Sequence, residues 1–483
     1  MSGDTVIGRL AQHALDRPGA PAIVAPGLTV SYRELHAMVG GCAEWLRAQG
    51  VEPGECVGVT IPDDLTHFVV ALGLASLGVA HATLASFEPA PLRARLADRV
   101  GAARVVGTRD AHRLAGFAFV GIEPATAAGW THPPARSLRL PVASALFTYF
   151  STSGTSGESK LIPVHHGQVA LHAARAHVGR AMPLSSIEHS YAKRQFLYAV
   201  LEGATVAHRG GDATPVAHLC SSLGVDVVAC MNVQAQALIA ESAQAGRFPP
   251  GTVLRTSGSH CTPQFRRLLL THVCDGVEVT YSMQECGSIA SVVERDAGAV
   301  TDSVGRPHAG VEVLIVDAQG RPAPAGEAGE IRIRAPGMAT GYLVDDRATA
   351  RHFRDGWLCP GDLATVTPDG SLVVHGRADD VMIMNDIKIA PAEIERALAR
   401  HPSVRAVAAF AVRSPVHGDV PAAAVELVAG AVASERELQA YARDALGLRA
   451  PRRVLIVAAL PSTPQGKVDT RRLAEMASAS VSP

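Results

Sequence analysis

The chain reads as an α/β protein, with a large N-terminal domain of α/β sheets carrying a small β-barrel-like part and a small α+β C-terminal domain. Three observations predict this. Helical apolar periodicity alternates with short apolar strands over most of the first 280 residues, as a parallel sheet requires. From Gly310 the texture changes to short strands separated by Gly, Pro and Asp turns, which predicts an antiparallel portion. After the polar stretch "GRADD" at 376–380, about a hundred residues of mixed type remain, enough for an independent domain. The 483 residues also exceed what a single hydrophobic core usually supports, so domains are expected at 1–376 and 377–483.

Taken in order, Ala22 to Val30 sets a Pro26-Gly27 turn between short apolar runs and predicts a hairpin. Ser31 followed by Glu34 is a capping box, so a helix starts there; Leu35, Met38, Val39, Cys42 and Leu46 recur at helical spacing and Gly50 offers a stop. Cys56 to Ile61 reads as a buried strand, followed by a helix over 64–77 and a strand over 79–84. The same rhythm recurs from Val169 to Val279. The antiparallel portion is carried by "VEVLIVDAQGRP", "GEIRIRAPG" and "GDLATVTPDGSLVVHGR". In the last segment Pro391 opens the helix "PAEIERALARHP", "VRAVAAFAV" and "AAAVELV" are strands, Ser434 with Glu437 caps a further helix, and "RRVLIVAALP" is a final strand.

Composition narrows the function classes. Lys plus Arg (44) nearly cancels Asp plus Glu (45), so no electrostatic case for nucleic acid or a membrane surface follows. The eight cysteines are dispersed, with neither a CxxC pair nor metal-ligand spacing, which fits reduced thiols in a cytoplasm. The stretch "MSGDTVIGRL" lacks the regions of a secretion signal, and no apolar run is long enough to span a bilayer.

The densest chemical signal is "STSGTSGESK", residues 151–160. A Walker loop needs Gly before its Lys, and Ser159 stands there. Thr152, Ser153, Gly154, Thr155, Ser156 and Gly157 can still turn amides and hydroxyls toward one anion, with Lys160 adding charge. Taken alone, the stretch could equally be a flexible surface turn.

It is not alone. Together with "YSMQECG" at 281–287, the tract "GYLVDDRATARHFRDGWLCPGDLA", the "GRADD" segment, "IAPAEIE" and "PSTPQGKVDTRRL", it resembles the ordered motif set of the AMP-forming adenylating superfamily. That superfamily comprises acyl- and aryl-CoA synthetases, nonribosomal-peptide adenylation domains and beetle luciferase. The resemblance covers residues 8 to 472 and implies an ATP-dependent ligase that converts a carboxylic acid to an acyl-adenylate. It implies that the loop from Thr152 to Lys160 wraps the β- and γ-phosphates of ATP, and that Glu285, with Thr155, holds Mg²⁺. Tyr281 lies against the adenine, Gln284 donates to a phosphate oxygen, Asp362 and Arg377 take the ribose, and Lys467 is the mobile catalytic lysine. His166 is a supporting or gating group. The same likeness makes the C-terminal domain mobile, with its hinge at Asp379.

Departures from the pattern are also legible. Gln284 stands where the family commonly has Thr, Leu161-Ile162 replaces Gly-Val, and Asp386 takes the place of a glycine near the thiol arm. For the acid pocket, motif alignment points to Glu188, His189, Arg255, Ser257, Thr280 and Ser288, polar residues that argue against a long acyl chain. Glu188 has two readings. It receives a substrate ammonium, or it pairs with Lys193 or Arg194 away from any ligand. The expected partners are a small amino or aryl acid and a separate thiol acceptor, either CoA or an acyl or peptidyl carrier protein. A non-thiol second step, luciferase-like or forming a nitrogen–nitrogen bond, and a degenerate non-catalytic protein are the alternatives.

Overall fold

The computed structural model describes residues 5–131, 138–152, 160–176, 179–258, 260–384, 387–414, 418–463 and 467–479. Two large sheets build the N-terminal domain. The six-stranded one runs in the order Ala118–Gly121, Arg104–Gly107, Cys56–Thr60, Ala80–Thr83, Leu146–Thr152, Lys160–His165, parallel except for its last pair. The nine-stranded one is parallel through its centre and antiparallel at both edges, where the predicted hairpin Pro21–Ala25/Leu28–Ser31 forms one edge pair. The capping box forms as read: Ser31 Oγ accepts from the Glu34 amide, and Glu34 accepts from the Ser31 amide at 2.7 Å.

Helix Asp64–Leu77 matches its expected span. Every residue from His67 to Leu77 is buried, so this helix is apolar all round rather than striped, the signature of a helix covered on every face. Asp63 accepts from the Thr66 amide at its start, and Gly78, at φ +74, ends it in the left-handed region.

Two hairpins bring motifs to the centre of the molecule. Strands Leu146–Thr152 and Lys160–His165 pair with Thr152 opposite Lys160, so the phosphate-loop segment joins two registered strands. Residues 153–159, and with them Ser153, Gly154, Thr155, Ser156 and Gly157, lie outside the described residues. Strands Gly276–Met283 and Gly287–Glu294 hold Gln284 and Glu285 in their turn. Gly287 closes that turn at φ +76, and a Cβ there would come within 2.9 Å of the His172 ring, so only glycine fits.

The texture change after Gly310 is a six-stranded antiparallel sheet, from Glu312–Val316 to Leu372–Arg377. Its last strand ends at Arg377, which still pairs with Asp362, so the expected break after residue 376 falls one residue inside a strand. A single 3₁₀ turn, Ala378–Asp380, connects to Met382–Met384, the first strand of the C-terminal unit. There, side chains of Val404–Ser414 alternate between two apolar clusters. Val407, Ala409 and Ala411 face one, and Ala408, Phe410 and Val412 face the other, which is covered by helix Thr470–Ala479. The two units touch through polar contacts, among them Arg396 to Asp302 at 3.0 Å and Gln236 to Glu426 at 3.0 Å.

Candidate active site

One cavity of about 1070 Å³ takes lining residues from both large sheets, from the antiparallel sheet and from the C-terminal unit. Lys160, Glu285, Tyr342, His352, Arg377 and Lys467 form its charged end. Lys160 Nζ lies 2.8 Å from His352 Nε2 and 5.1 Å over the Tyr342 ring. His352 Nδ1 is 3.0 Å from the Cys359 carbonyl, so that nitrogen carries the proton and Nε2 accepts from the ammonium. Burial holds the His352 pKa down, which keeps the ring neutral in that role. The Tyr342 hydroxyl donates to Glu285 Oε1 at 2.7 Å and so fixes the carboxylate, leaving its second oxygen to the cavity. Burial lowers the Lys160 pKa, opposed by the field of Glu285.

Behind Arg377 lies Asp362, 9% exposed, which accepts from the Tyr281 hydroxyl at 2.7 Å and sits 3.6 Å from the Arg377 guanidinium. Burial raises the Asp362 pKa, and the Tyr281 hydrogen bond and Arg377 pull it back down. Lys467 stands in the same field. Loss of hydration in the cleft lowers its pKa, Arg377 adds to that, and Asp362 opposes it. Its carbonyl accepts from the Thr463 amide at 2.7 Å. Asp379 accepts from Arg351 at 2.9 and 3.1 Å and lies 3.5 Å from Arg377, so the inter-unit turn is tied to the charged end.

Gln284, the departure from the family pattern, is anchored. Arg194 donates through Nε to its side-chain oxygen at 3.2 Å and through Nη2 to its carbonyl at 2.8 Å, while stacking 4.4 Å over Phe150 in the strand that leads to the phosphate-loop segment. The second face of Arg194 holds His172 Nδ1 at 2.8 Å. One guanidinium thereby joins three walls of the cavity.

The other end of the cavity holds the expected acid-pocket residues. Arg255 is buried in an ion pair with Glu278 at 2.9 Å, Ser257 meets Ser282 at 2.8 Å, Ser288 meets His308 at 2.8 Å, and the Thr280 hydroxyl is buried without a partner. His189 stacks on Phe87, rings 4.8 Å apart. Glu188 lines the cavity, and among the described residues it forms no ion pair with Lys193 or Arg194. Each of its oxygens accepts from Ser86, one from the amide at 2.8 Å and one from the hydroxyl at 2.7 Å, so the carboxylate holds a loop that follows a strand of the neighbouring sheet. His166 is 1% exposed, packed on Phe147 at 4.8 Å and outside the cavity lining, with its pKa lowered to about 4 by burial. Asp386 lies outside the described residues.

Sequence reasoning passed over Tyr342, His352, Lys193 and Arg194 as site residues. The first two sit inside the tract that was quoted for Asp362, where an aromatic and a histidine ahead of the aspartate were the available signal. The last two were weighed only as partners of Glu188.

Residues 10–343 match the family described as AMP-binding enzyme, and residues 393–467 match the AMP-binding enzyme C-terminal domain. The chain belongs to the AMP-binding enzyme family. It is an AMP-forming acid–thiol ligase that binds ATP, and its mixed α/β architecture with a large N-terminal and a small C-terminal domain is that of the AMP-forming adenylating superfamily. It is 28% identical to the sulfoacetate–CoA ligase of Cupriavidus necator, over 97% of each chain. It is 29% identical to the salicyl-AMP ligase / salicyl-S-ArCP synthetase of Mycobacterium tuberculosis, over 97% of this chain and 90% of that one. In fold it is similar to the o-succinylbenzoate CoA synthetase of Bacillus subtilis in complex with its acyl-adenylate intermediate, with a TM-score of 0.83, 21% identity, and coverage of 96% and 97% of the two chains. Among the described residues no helix is long and apolar enough to cross a membrane.

Proposed function

We propose that this enzyme activates a small polar carboxylic acid as its acyl-adenylate, releasing pyrophosphate, and passes the acyl group to a thiol borne by a separate molecule, CoA or the phosphopantetheine of a carrier protein. The observation that carries the proposal is one cavity with a cationic, carboxylate-bearing end and a polar end.

A carboxylate is a poor acylating agent because oxide would have to leave. Attack of one carboxylate oxygen on the α-phosphorus of ATP replaces that leaving group with AMP. Negative charge gathers on the phosphorus oxygens and on the departing pyrophosphate, so the site must hold fixed donors there. Lys160 and the loop that precedes it hold the leaving group in line. Lys467, reaching in from the C-terminal unit, neutralises the approaching carboxylate and the α-phosphate oxygens. Asp362, acceptor-only when ionised, takes the ribose hydroxyls, with Arg377 beside it. Arg194 holds the side-chain oxygen of Gln284, so its amide N–H₂ is the group that would donate to a phosphate oxygen.

Glu285 fits a magnesium site of the kind that uses one carboxylate and completes its shell with phosphates and water: one oxygen is fixed by Tyr342 and the other is open. Bound there, the ion would screen charge between the β- and γ-phosphates.

The test is acid-dependent exchange of labelled pyrophosphate into ATP, followed by product analysis with CoA and with a carrier protein. Exchange with at least one small polar acid, and a thioester in one of the two thiol assays, support the proposal. AMP released without any thioester would remove the thiol step and leave the activation step.

A further inference from the structure

Lys193 occupies an unusual position for a lysine. It is 1% exposed, it lines the cavity, and its Nζ bonds only neutral groups, His81 Nε2 at 2.8 Å and Thr83 Oγ1 at 2.9 Å. Burial keeps both neighbouring imidazoles uncharged: His81 is held well below the ordinary value and His67, bonded to Thr83 at 3.3 Å, is lowered to about 3. Among the described residues no carboxylate pairs with Lys193. The acidic field it feels is that of Glu188, which makes no direct contact with it and accepts from the Ser86 amide and hydroxyl. The other carboxylate in this wall, Glu278, is held by Arg255. The Lys193 ammonium therefore makes its hydrogen bonds to neutral groups, with no carboxylate in direct contact among the described residues.

An ammonium taken out of water without a counter-ion in contact is costly, and the more distant Glu188 offsets only part of that cost. Its own shift agrees, since burial lowers the Lys193 pKa to about 7, so that an arriving anion would restore the charge. Replacement by leucine or methionine would fill the same volume without that cost, so the lysine makes chemical sense where a ligand supplies the anion.

We infer that Lys193 is a specificity-determining residue that receives a second acidic group of the substrate, a carboxylate or sulfonate, so that the enzyme selects a dianionic acid over a monoanionic one of the same size. The inference rests on the acid-activating reading above and names the substrate class for that site. Activation takes place at one carboxylate only; the second acidic group is bound and leaves the site unchanged on the product.

The experiment is pyrophosphate exchange with the full chain, using malonate, succinate and glutarate each paired with its monomethyl ester, and sulfoacetate paired with methoxyacetate. The expected result is a preference of tenfold or more in kcat/KM for the dianion in at least one pair. In Lys193→Met that preference disappears, because the KM for the dianion rises more than the KM for its ester. Lys193→Arg keeps part of the preference. Should Lys193→Met fail to fold, the pairs on the unmodified protein and Lys193→Gln decide. Equal rates within every pair, or a preference that survives Lys193→Met, overturn the inference while leaving acid activation standing. Exchange with none of these acids but with neutral or amino acids also overturns it, and exchange with no acid of any class overturns the activating reading as well.

Discussion

Replacing Tyr342 with phenylalanine removes one hydroxyl and keeps the ring. In the native structure that hydroxyl donates to Glu285 Oε1 at 2.7 Å, while the ring carries Lys160 at 5.1 Å and packs on Phe353 at 5.3 Å. The cation–π contact and the packing survive the change, so the effect isolates the hold on one carboxylate. A hydrogen bond to an ionised group contributes about 1.5–3 kcal/mol. At about 1.4 kcal/mol per decade, the loss is roughly 10- to 100-fold in the rate of pyrophosphate exchange at limiting ATP and magnesium. The freed oxygen opens onto a cavity that water enters, so the melting temperature should shift little. Exchange kinetics against ATP, magnesium and acid, with a thermal melt as control, separate the cases. The KM for the acid should stay put while the nucleotide and magnesium dependence weakens. Exchange within twofold of the native rate would refute the reasoning that Tyr342 orients Glu285.

Asp362→Asn keeps an acceptor for Tyr281 but removes a buried charge. Because burial raises the Asp362 pKa, the folded state binds that proton more tightly than the unfolded chain, so the group's contribution to stability is present at low pH and is lost as pH rises through the folded value. The variant should melt no lower than the native protein at pH 7 while its KM for ATP rises tenfold or more; a lower melting temperature with unchanged ATP dependence would contradict this. The same shift predicts that exchange activity begins to fall on the acid side above the range of an ordinary aspartate, a limb that the asparagine variant should lack. Asp379→Pro stiffens the turn between the units, and it should leave exchange largely intact while stopping thioester formation. Equal loss of both steps would instead assign Asp379 to the adenylation site through its pairing with Arg351 and Arg377.

What the sequence disclosed depended on how local the signal was. The Ser31/Glu34 capping box, the helix over 64–77 and the strand in "VRAVAAFAV" are written within a few residues each, and the structure has them where the pattern puts them. Lys160, Glu285, Arg377 and Lys467 belong to motifs spread over three hundred residues, and their order alone marked them; the cavity they share is a product of the fold. Glu188 could not be read this way, because its partner, Ser86, is 102 residues away, in the loop after strand Ala80–Thr83, and carries no signature. Lys193 and Arg194 are adjacent in one helix yet serve different ends of the cavity. A helix turns about 100° per residue, so neighbouring cations diverge, and helical spacing alone does not say which wall each meets.

The central claim is that Lys160, Glu285, Asp362, Arg377 and Lys467 act on one ATP to let an acid attack its innermost phosphorus. The most direct measurement is acid-dependent pyrophosphate exchange in the native protein and in Lys467→Ala, with a thermal melt of both as the stability control. At an effective dielectric of about 20, a charge about 4 Å from the reacting oxygens is worth roughly 4 kcal/mol, so the account predicts a loss on the order of a thousandfold with ATP binding retained. Native-like exchange in Lys467→Ala, or AMP that never forms with any acid, would contradict it.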